Sequence, residues 1–180
     1  MKFADIDRFP HSSYCVGVEL KYLKEHLVRW DERCEELPHC RLIMDPEFQR
    51  GHVWTESQQV AFVEYLLKGG RMGRDVFFNC SSWQGNYTTP IYCLDGLQRI
   101  TACLAFMDNK IKAFGHYLSE YEDNIRMADC QLMFHVLTVK KKKDLLKVYL
   151  ALNSGGTPHD PQEIARVTKM FENTRDDETI

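Results

Sequence analysis

The sequence predicts an α+β fold, a compact domain with a small mixed sheet flanked by helices. Short apolar runs typical of strands occur at 41–44, 76–80, 91–94 and 132–139. The segments between them carry apolar residues at helical spacing. A turn rich in Ser, Gly and Asn, at 81–89, separates two of the predicted strands. At 180 residues the chain is long enough for one domain with a buried core.

Residues 1–40 are predicted as an N-terminal extension, part helical, that packs on the core. The helix over 19–36 is indicated by apolar residues at helical spacing: Leu20, Leu23, Leu27 and Trp30. Further along the chain, Thr55-Glu56-Ser57-Gln58 has the pattern of a capping box. The helix that this box begins is predicted to end at Gly69-Gly70.

The second half of the chain predicts three more helices. One follows Asp95 directly, with apolar residues on a single face. Another covers 144–152, and a loop is predicted at 153–158. The last begins at Asp160-Pro161-Gln162-Glu163, where Asp caps, Pro occupies the first turn and Glu follows.

Composition argues against several classes of function. The formal net charge of −3 argues against a broad, non-specific nucleic-acid surface. The seven cysteines form no Cys-x-x-Cys pair, so we expect reduced thiols and a soluble, cytoplasmic protein. The His and Cys spacings are not those of zinc sites, and no structural zinc is expected. The chain has neither a membrane-spanning apolar run nor a signal-peptide pattern, so no membrane partner is expected.

The segment most informative about function is Ile91–Thr101, where an apolar run stops at Asp95-Gly96 and a helix begins. The free N–H groups of a helix N-terminus favour an anion, and Gly96 lets a phosphate come close. Arg99, with the Gln98 amide beside it, can bind phosphate through two hydrogen bonds. Asp-Gly is also a common turn with Asp as a helix cap, so a purely structural role stays open.

Two further clusters strengthen the functional interpretation. Gln49-Arg50 repeats the Gln-Arg dipeptide at a second loop-to-helix junction, and two converging guanidiniums would suit a polyphosphate. Asn153-Ser154-Gly155-Gly156 supplies neutral hydrogen-bonding groups and permits close backbone approach. Each cluster, taken alone, is equally typical of a solvated loop or a flexible connection. The one basic run, Lys140–Lys143, is predicted as a solvated turn, with nucleic-acid contact as the minority interpretation.

In order and spacing, Pro46–Trp54, Leu94–Thr101 and Asn153–Pro158 together resemble the bacterial domain-of-unknown-function family 262. That family belongs to the ParB/sulfiredoxin-like superfamily. It forms the N-terminal part of modification-dependent restriction proteins of the GmrSD type and the phosphorothioate-sensing SspE type. The resemblance implies a ParB-like nucleotide-binding domain at 41–172, followed by a polar tail at 173–180.

The resemblance also implies which residues bind the nucleotide. These are Gln49, Arg50, Gly96, Gln98, Arg99, Asn153, Ser154 and Gly155, with Asp95 and Arg99 as the catalytic candidates. The family pattern is usually Asp-Gly-Gln-Gln-Arg, and here Leu97 replaces the first Gln. Such restriction proteins typically carry an HNH-type nuclease domain downstream, for which there is no room before Ile180. We therefore expect a nucleotide-binding or NTP-hydrolysing module rather than a complete nuclease.

Two hypotheses follow. In the first, Arg99 and Arg50 clamp the phosphates of a nucleoside triphosphate with Mg²⁺, and both face one pocket near Gly96. Asp95 then caps the helix, holds Mg²⁺ or orients water. In the second, the chain is a non-catalytic module with a degenerate pocket that binds DNA, a nuclease or another defence protein. A phage-encoded inhibitor or a sensor partner would fit it. A purely structural role predicts that Arg50 and Arg99 point apart, each paired with its own surface carboxylate.

Overall fold

The structure, a computed structural model, describes residues 14–35, 41–49, 53–85, 87–123, 130–154 and 161–180. These residues form a five-stranded mixed sheet with helices on both faces, which confirms the predicted α+β fold. The strands are β1 (Tyr14–Glu19), β2 (Leu42–Ile43), β3 (Asp75–Asn79), β4 (Ile91–Asp95) and β5 (Gln131–Leu137). The helices are α1 (Leu20–Glu35), α2 (Glu56–Leu67), α3 (Leu97–Met107), α4 (Lys142–Ser154) and α5 (Pro161–Asn173), with a short 3₁₀ helix at Leu118–Glu120.

The strand order in the sheet is β1-β5-β3-β4-β2. β5 pairs antiparallel with β1 and parallel with β3, while β4 pairs antiparallel with β3 and parallel with β2. Because β2 and β4 are parallel neighbours, the segments that follow them leave the sheet at the same end, where the carboxyl ends of both strands lie. The topology therefore brings the first two polar clusters together.

One face of the sheet packs against α1 and α3. Trp30 of α1 contacts Phe78 of β3 edge to face, with ring centroids 5.0 Å apart. Ile100 of α3 is buried in the same cluster. α2 packs on the outer side of α3, where Val63 and Phe106 are both buried. The sequence prediction that α2 begins with a capping box is confirmed, since both reciprocal hydrogen bonds are present.

The other face packs against α4 and α5. Leu94 of β4, Leu146 of α4 and Val167 of α5 are all fully buried in this second cluster. The ring of Phe48, from the turn after β2, lies on Tyr149 of α4 with centroids 5.4 Å apart. α4 therefore covers the sheet beside the first polar cluster. In the part of the chain that the structure describes, every helix is too short or too polar to cross a membrane.

The structure differs from the sequence predictions in three places. Residues 14–19 form an edge strand of the main sheet, a role that the predicted N-terminal extension did not include. The alternation of Tyr14, Val16 and Val18 with more polar neighbours was the available signal. α4 continues through Asn153 and Ser154, which were predicted as a loop, and the remainder of that loop lies outside the described residues.

The third difference concerns the predicted polar tail, which begins in the last turn of α5. Its residues return to the core beside the start of α4. The N–H of Ile180 donates to the carbonyl of Lys140 at 3.1 Å, and the N–H of Lys142 donates to the carbonyl of Glu178 at 3.0 Å. Thr174 is buried. The C-terminal residues are therefore part of the packed domain.

Candidate functional site

The candidate site lies where β4 ends and α3 begins. Asp95 is the last residue of β4, and Gly96 is the N-cap of α3. The backbone of Gly96 has φ of 108°, a conformation that favours glycine, and no side chain caps the helix. A Cβ on Gly96 would lie 2.7 Å from Cγ1 of Val76. Gly96 is thus required by packing, and the alternative in which Asp95 caps the helix is wrong.

The carboxylate of Asp95 instead pairs with Arg99, one helical turn further on. The guanidinium donates to the two carboxylate oxygens of Asp95 at 3.0 and 3.3 Å, and it also donates to the backbone carbonyl of Asp75 on β3. The side chains of Asp95 and Arg99 are 25% and 22% exposed. Arg99 is therefore held within its own motif, at a position that solvent still reaches.

The expectation that Arg50 and Arg99 face one pocket stays a prediction, because Arg50 lies outside the described residues. The pairing of Arg99 with a carboxylate is one part of what a purely structural role predicts. Asp95 and Arg99 belong to the same motif and are only partly exposed, so the pair neutralises charge at the start of α3.

Gln98 connects the first two polar clusters directly. Its Oε1 accepts the backbone N–H groups of Val53 and Trp54 at 2.9 and 3.0 Å. These two residues immediately follow the undescribed segment 50–52. The first turn of α3 therefore fixes the chain just beyond Arg50, which the sequence placed at the site.

Gln49 lies behind this junction, at the end of the turn after β2. Its N–H donates to the carbonyl of Pro46 at 2.8 Å. Its side chain contacts the thiol of Cys93, whose pKa is raised by burial and lowered only in part by Gln49. Cys93 is therefore a neutral thiol and no nucleophile. Oε1 of Gln49 is buried and has no hydrogen-bond partner among the described residues, although a buried acceptor is normally paired.

The third cluster reaches this region only in part. Asn153 is buried, and its Nδ2 donates to the carbonyl of Tyr149 at 2.7 Å, within α4 itself. Tyr149 in turn contacts Phe48, the neighbour of Gln49. Ser154 is the last residue of α4, and Gly155 lies outside the described residues. Asn153 therefore anchors the end of α4 with its amide nitrogen.

Sequence reasoning missed Arg166 of α5, which holds the turn that carries Gln49. Its guanidinium donates to the carbonyl of Glu47 at 2.8 Å and to the carboxylate of Glu163 at 2.7 Å. The hydrogen bond with Glu163 is the main reason that the pKa of Arg166 is raised. The three-residue spacing of Glu163 and Arg166 was a signal for the ion pair. The sequence held no signal for the contact with Glu47.

Two lysines of the basic run form ion pairs. Lys142 pairs with Glu178 at 3.0 Å and with Glu47 at 3.3 Å, while Lys143 pairs with Asp176 at 2.6 Å. These carboxylates occupy the two lysines that α4 contributes. Lys142 and Lys143 therefore lie in the first turn of α4 and not in the predicted solvated turn, and their pairing argues against a phosphate-binding surface.

A metal ion at the site would depend chiefly on Asp95. Within the described ranges, no three His, Cys, Asp or Glu side chains are grouped so that they could hold a metal ion. Mg²⁺ is commonly bound through one or two carboxylates together with substrate phosphates, so a single partly exposed Asp fits that ion in the presence of a nucleotide.

Comparison with known proteins gives one match. The family model for the N-terminal domain of the GmrSD restriction endonuclease matches residues 34–168. These residues contain all three polar clusters and every element from β2 through α4. No curated protein and no solved structure matches the chain.

Proposed function

The chain belongs to the GmrSD restriction endonuclease N-terminal domain family, and from this premise we propose that it binds a nucleoside triphosphate. Membership of this family associates the chain with restriction and phage defence. The proposed binding site for the nucleotide lies at the start of α3. Arg99 contacts the phosphates there, and the turn that carries Gln49 lines the opposite side of the site.

The observation that carries the proposal is the arrangement of anion-binding groups around Gly96. Gly96, as the N-cap, supplies no side-chain cap to the first turn of α3, where the N–H of Leu97 bonds the Cys93 thiol. The Arg99 guanidinium stands one turn away and is still partly exposed. A guanidinium and uncapped backbone N–H groups are the donors that bind phosphate in proteins. The buried Oε1 of Gln49 would accept a donor from the ligand.

Asp95 makes the proposed binding depend on Mg²⁺. A carboxylate and a phosphate compete for the same guanidinium, because both are anions that accept from Arg99. Asp95 is the residue that would hold the ion, and with its charge balanced it would no longer compete with the phosphate. Mg²⁺ supplies charge neutralisation between the carboxylate and the phosphates when bound. Binding without the ion should be weaker.

A thermal-shift experiment with ATP, GTP and CTP, each with and without Mg²⁺, tests this proposal. A nucleotide at about one hundred times its dissociation constant adds roughly 2.7 kcal/mol of stability, which a melting curve resolves readily. Arg99→Gln should lose this shift. Arg29→Gln is the matched control, since Arg29 also pairs with a carboxylate four residues away, Glu25, but on helix α1.

The melting temperature without nucleotide shows whether Arg99→Gln is folded. Arg99→Lys provides a second test, because Lys keeps the charge and loses the two-pronged donor geometry. It should retain folding and bind more weakly than the wild type. Equal shifts for the wild type and both Arg99 variants would contradict the proposal. The proposal covers nucleotide binding. If the protein also releases phosphate from the nucleotide, and variants of Asp95 and Arg99 do not, the proposal extends to hydrolysis.

A second candidate function is a non-catalytic interaction module with a degenerate pocket. It is favoured by the engagement of Arg99 with both Asp95 and Asp75, and by Leu97, which replaces the usual Gln and packs into the core. This candidate predicts no shift with any of the three nucleotides. Titration with duplex DNA at two salt concentrations then separates a DNA partner, whose binding weakens steeply with salt, from a protein partner.

A further inference from the structure

A second cluster of reactive side chains lies on the sheet, on the strands β1, β5 and β3. Cys15 of β1 is directly opposite His135 of β5 in the antiparallel register, and His135 is opposite Phe77 of β3. Side chains at opposed positions point to the same face of a sheet. Three adjacent strands therefore bring a thiol, an imidazole and an aromatic ring into one row.

The geometry of the row restrains the imidazole. The ring of His135 stacks on Phe77 with centroids 4.8 Å apart and an interplanar angle of 16°. Nε2 of His135 lies 2.8 Å from Oδ1 of Asp75 and 4.0 Å from Sγ of Cys15. The His135 side chain is only 19% exposed, while Cys15 is exposed. A ring that is held by stacking and by a carboxylate thus stands beside an accessible thiol.

This arrangement leaves one ring nitrogen able to take up the Cys15 proton. A carboxylate oxygen only accepts, so the single proton on Nε2 is directed at Asp75, and Nδ1 is the acceptor of the neutral ring. Sγ of Cys15 lies beside the same ring, 4.0 Å from Nε2. The thiolate is the nucleophilic form of cysteine. Two further charged groups lie next to this cluster: Arg99, which binds the Asp75 backbone carbonyl, and Asp95, which is opposite Phe77 on β4 and pairs with Arg99.

We propose that Cys15, His135 and Asp75 form a covalent modification site for low-molecular-weight disulfides. The Cys15 proton passes to Nδ1 of His135 by way of solvent, and the thiolate attacks one sulfur of the disulfide. A new S–S bond forms to Cys15 as the original S–S bond breaks. The other sulfur leaves as a thiolate with the electron pair, so no further oxidant is required.

Four other cysteines are poor competitors for such a reagent. They are all buried: Cys80, Cys93, Cys103 and Cys130. Burial raises the pKa of the Cys93 and Cys103 thiols, which keeps both protonated and unreactive. Among these five cysteines, exposure and an adjacent imidazole coincide at Cys15.

Incubation of the whole protein with glutathione disulfide tests the proposal, with tryptic peptides followed by mass spectrometry. Cleavage after Arg8 and Lys21 leaves Cys15 as the sole cysteine on its peptide. In the wild type, the Cys15 peptide should gain one glutathionyl group faster than the peptides that carry the four buried cysteines. His135→Gln should slow this reaction about tenfold at neutral pH, because the ring that takes up the thiol proton is lost. His116→Gln is the matched control and should leave the rate unchanged.

Asp75→Asn provides a second variant, which keeps the ring and removes the charge that holds it. It should also slow modification about threefold, because the carboxylate that holds the His135 ring beside the thiol is lost. Circular dichroism of each variant shows that the fold is retained, and should His135→Gln unfold, Asp75→Asn decides alone. The proposal is overturned if the folded variants react as fast as the wild type, or if a peptide that carries one of the four buried cysteines is modified before the Cys15 peptide.

Discussion

The Oε1 atom of Gln98 accepts the backbone N–H of Trp54 at 3.0 Å. The same oxygen accepts the N–H of Val53 at 2.9 Å, so one side-chain carbonyl satisfies two successive backbone donors. This contact joins the first turn of α3 to the chain that leads into α2. The two motifs that contain Gln-Arg dipeptides are therefore linked mechanically, whatever ligand the site takes.

Replacing Gln98 tests this link. Gln98→Ala should lower the free energy of unfolding by about 1 to 2 kcal/mol, because two backbone donors lose their acceptor. Gln98→Glu keeps an acceptor oxygen and should be much closer to the wild type in stability, while its negative charge weakens binding of phosphate. Chemical denaturation measures both variants. If Gln98→Glu is as unstable as Gln98→Ala, the acceptor role is incorrect.

Gly96→Ala should be strongly destabilising, by about 2 kcal/mol or more, since φ is unfavourable and the new Cβ overlaps Val76. Gly73→Ala is the matched control. It also has positive φ, at 65°, but no neighbouring atom lies within 4 Å of its Cβ. It should cost only the backbone strain, about 1 to 2 kcal/mol.

The double variant Gly96→Ala/Val76→Ala separates strain from overlap. Val76→Ala opens space at the point where the two side chains meet, so the second substitution should cost less than its own single effect. Thermal or denaturant melts of the four proteins complete the cycle. Strict additivity would show that the contact with Val76 contributes nothing to the requirement for glycine.

The stability of the domain should fall below neutral pH because of His26. Burial, with Arg29 and Arg33 as lesser causes, lowers the pKa of His26 below its ordinary value of 6.5. The unfolded chain takes up a proton near that ordinary value while the folded chain does not. Unfolding therefore becomes easier as the pH falls through 6.5 toward the folded pKa, and no effect is expected above this window.

His26→Leu should remove this part of the pH dependence, since Leu fills the position between Trp30 and Phe134 without titrating. The measurement is the free energy of unfolding of both proteins across the acidic range. Parallel curves for the variant and the wild type would assign the pH dependence to other groups.

Arg166→Ala should loosen the turn that carries Gln49 and have little effect on overall stability. The Arg166 side chain is 42% exposed, so its ion pair with Glu163 is worth less than about 1 kcal/mol. Its hydrogen bond to the carbonyl of Glu47 positions the turn. Hydrogen exchange at the N–H of Gln49, which is bonded to Pro46, should become faster.

Arg175→Ala is the control for this prediction, because Arg175 forms an exposed ion pair with Asp177 near the C-terminus. It should leave exchange at Gln49 unchanged. Unaltered exchange at Gln49 in Arg166→Ala would show that the turn is held by its own backbone and by Phe48.

The sequence by itself determined most of the elements of the fold. Hydrophobic periodicity is a local property, so it located α1, α2 and α3 and the apolar strands to within a few residues. The capping box at Thr55 is likewise local, because its partners are three residues apart. The four-residue spacing of Asp95 and Arg99 also carried the signal for their ion pair, although the motif suggested a free guanidinium.

Only the tertiary structure decided which distant groups meet. Three contacts join separate elements of the fold. The N–H of Trp54 donates to Gln98, the guanidinium of Arg99 donates to Asp75, and Cys15 lies beside His135. Such contacts depend on strand order and register, which a pattern along one strand does not specify. The same physics extended α4 through Ser154: packing of Tyr149 on Phe48 stabilises residues whose own propensity favours a loop.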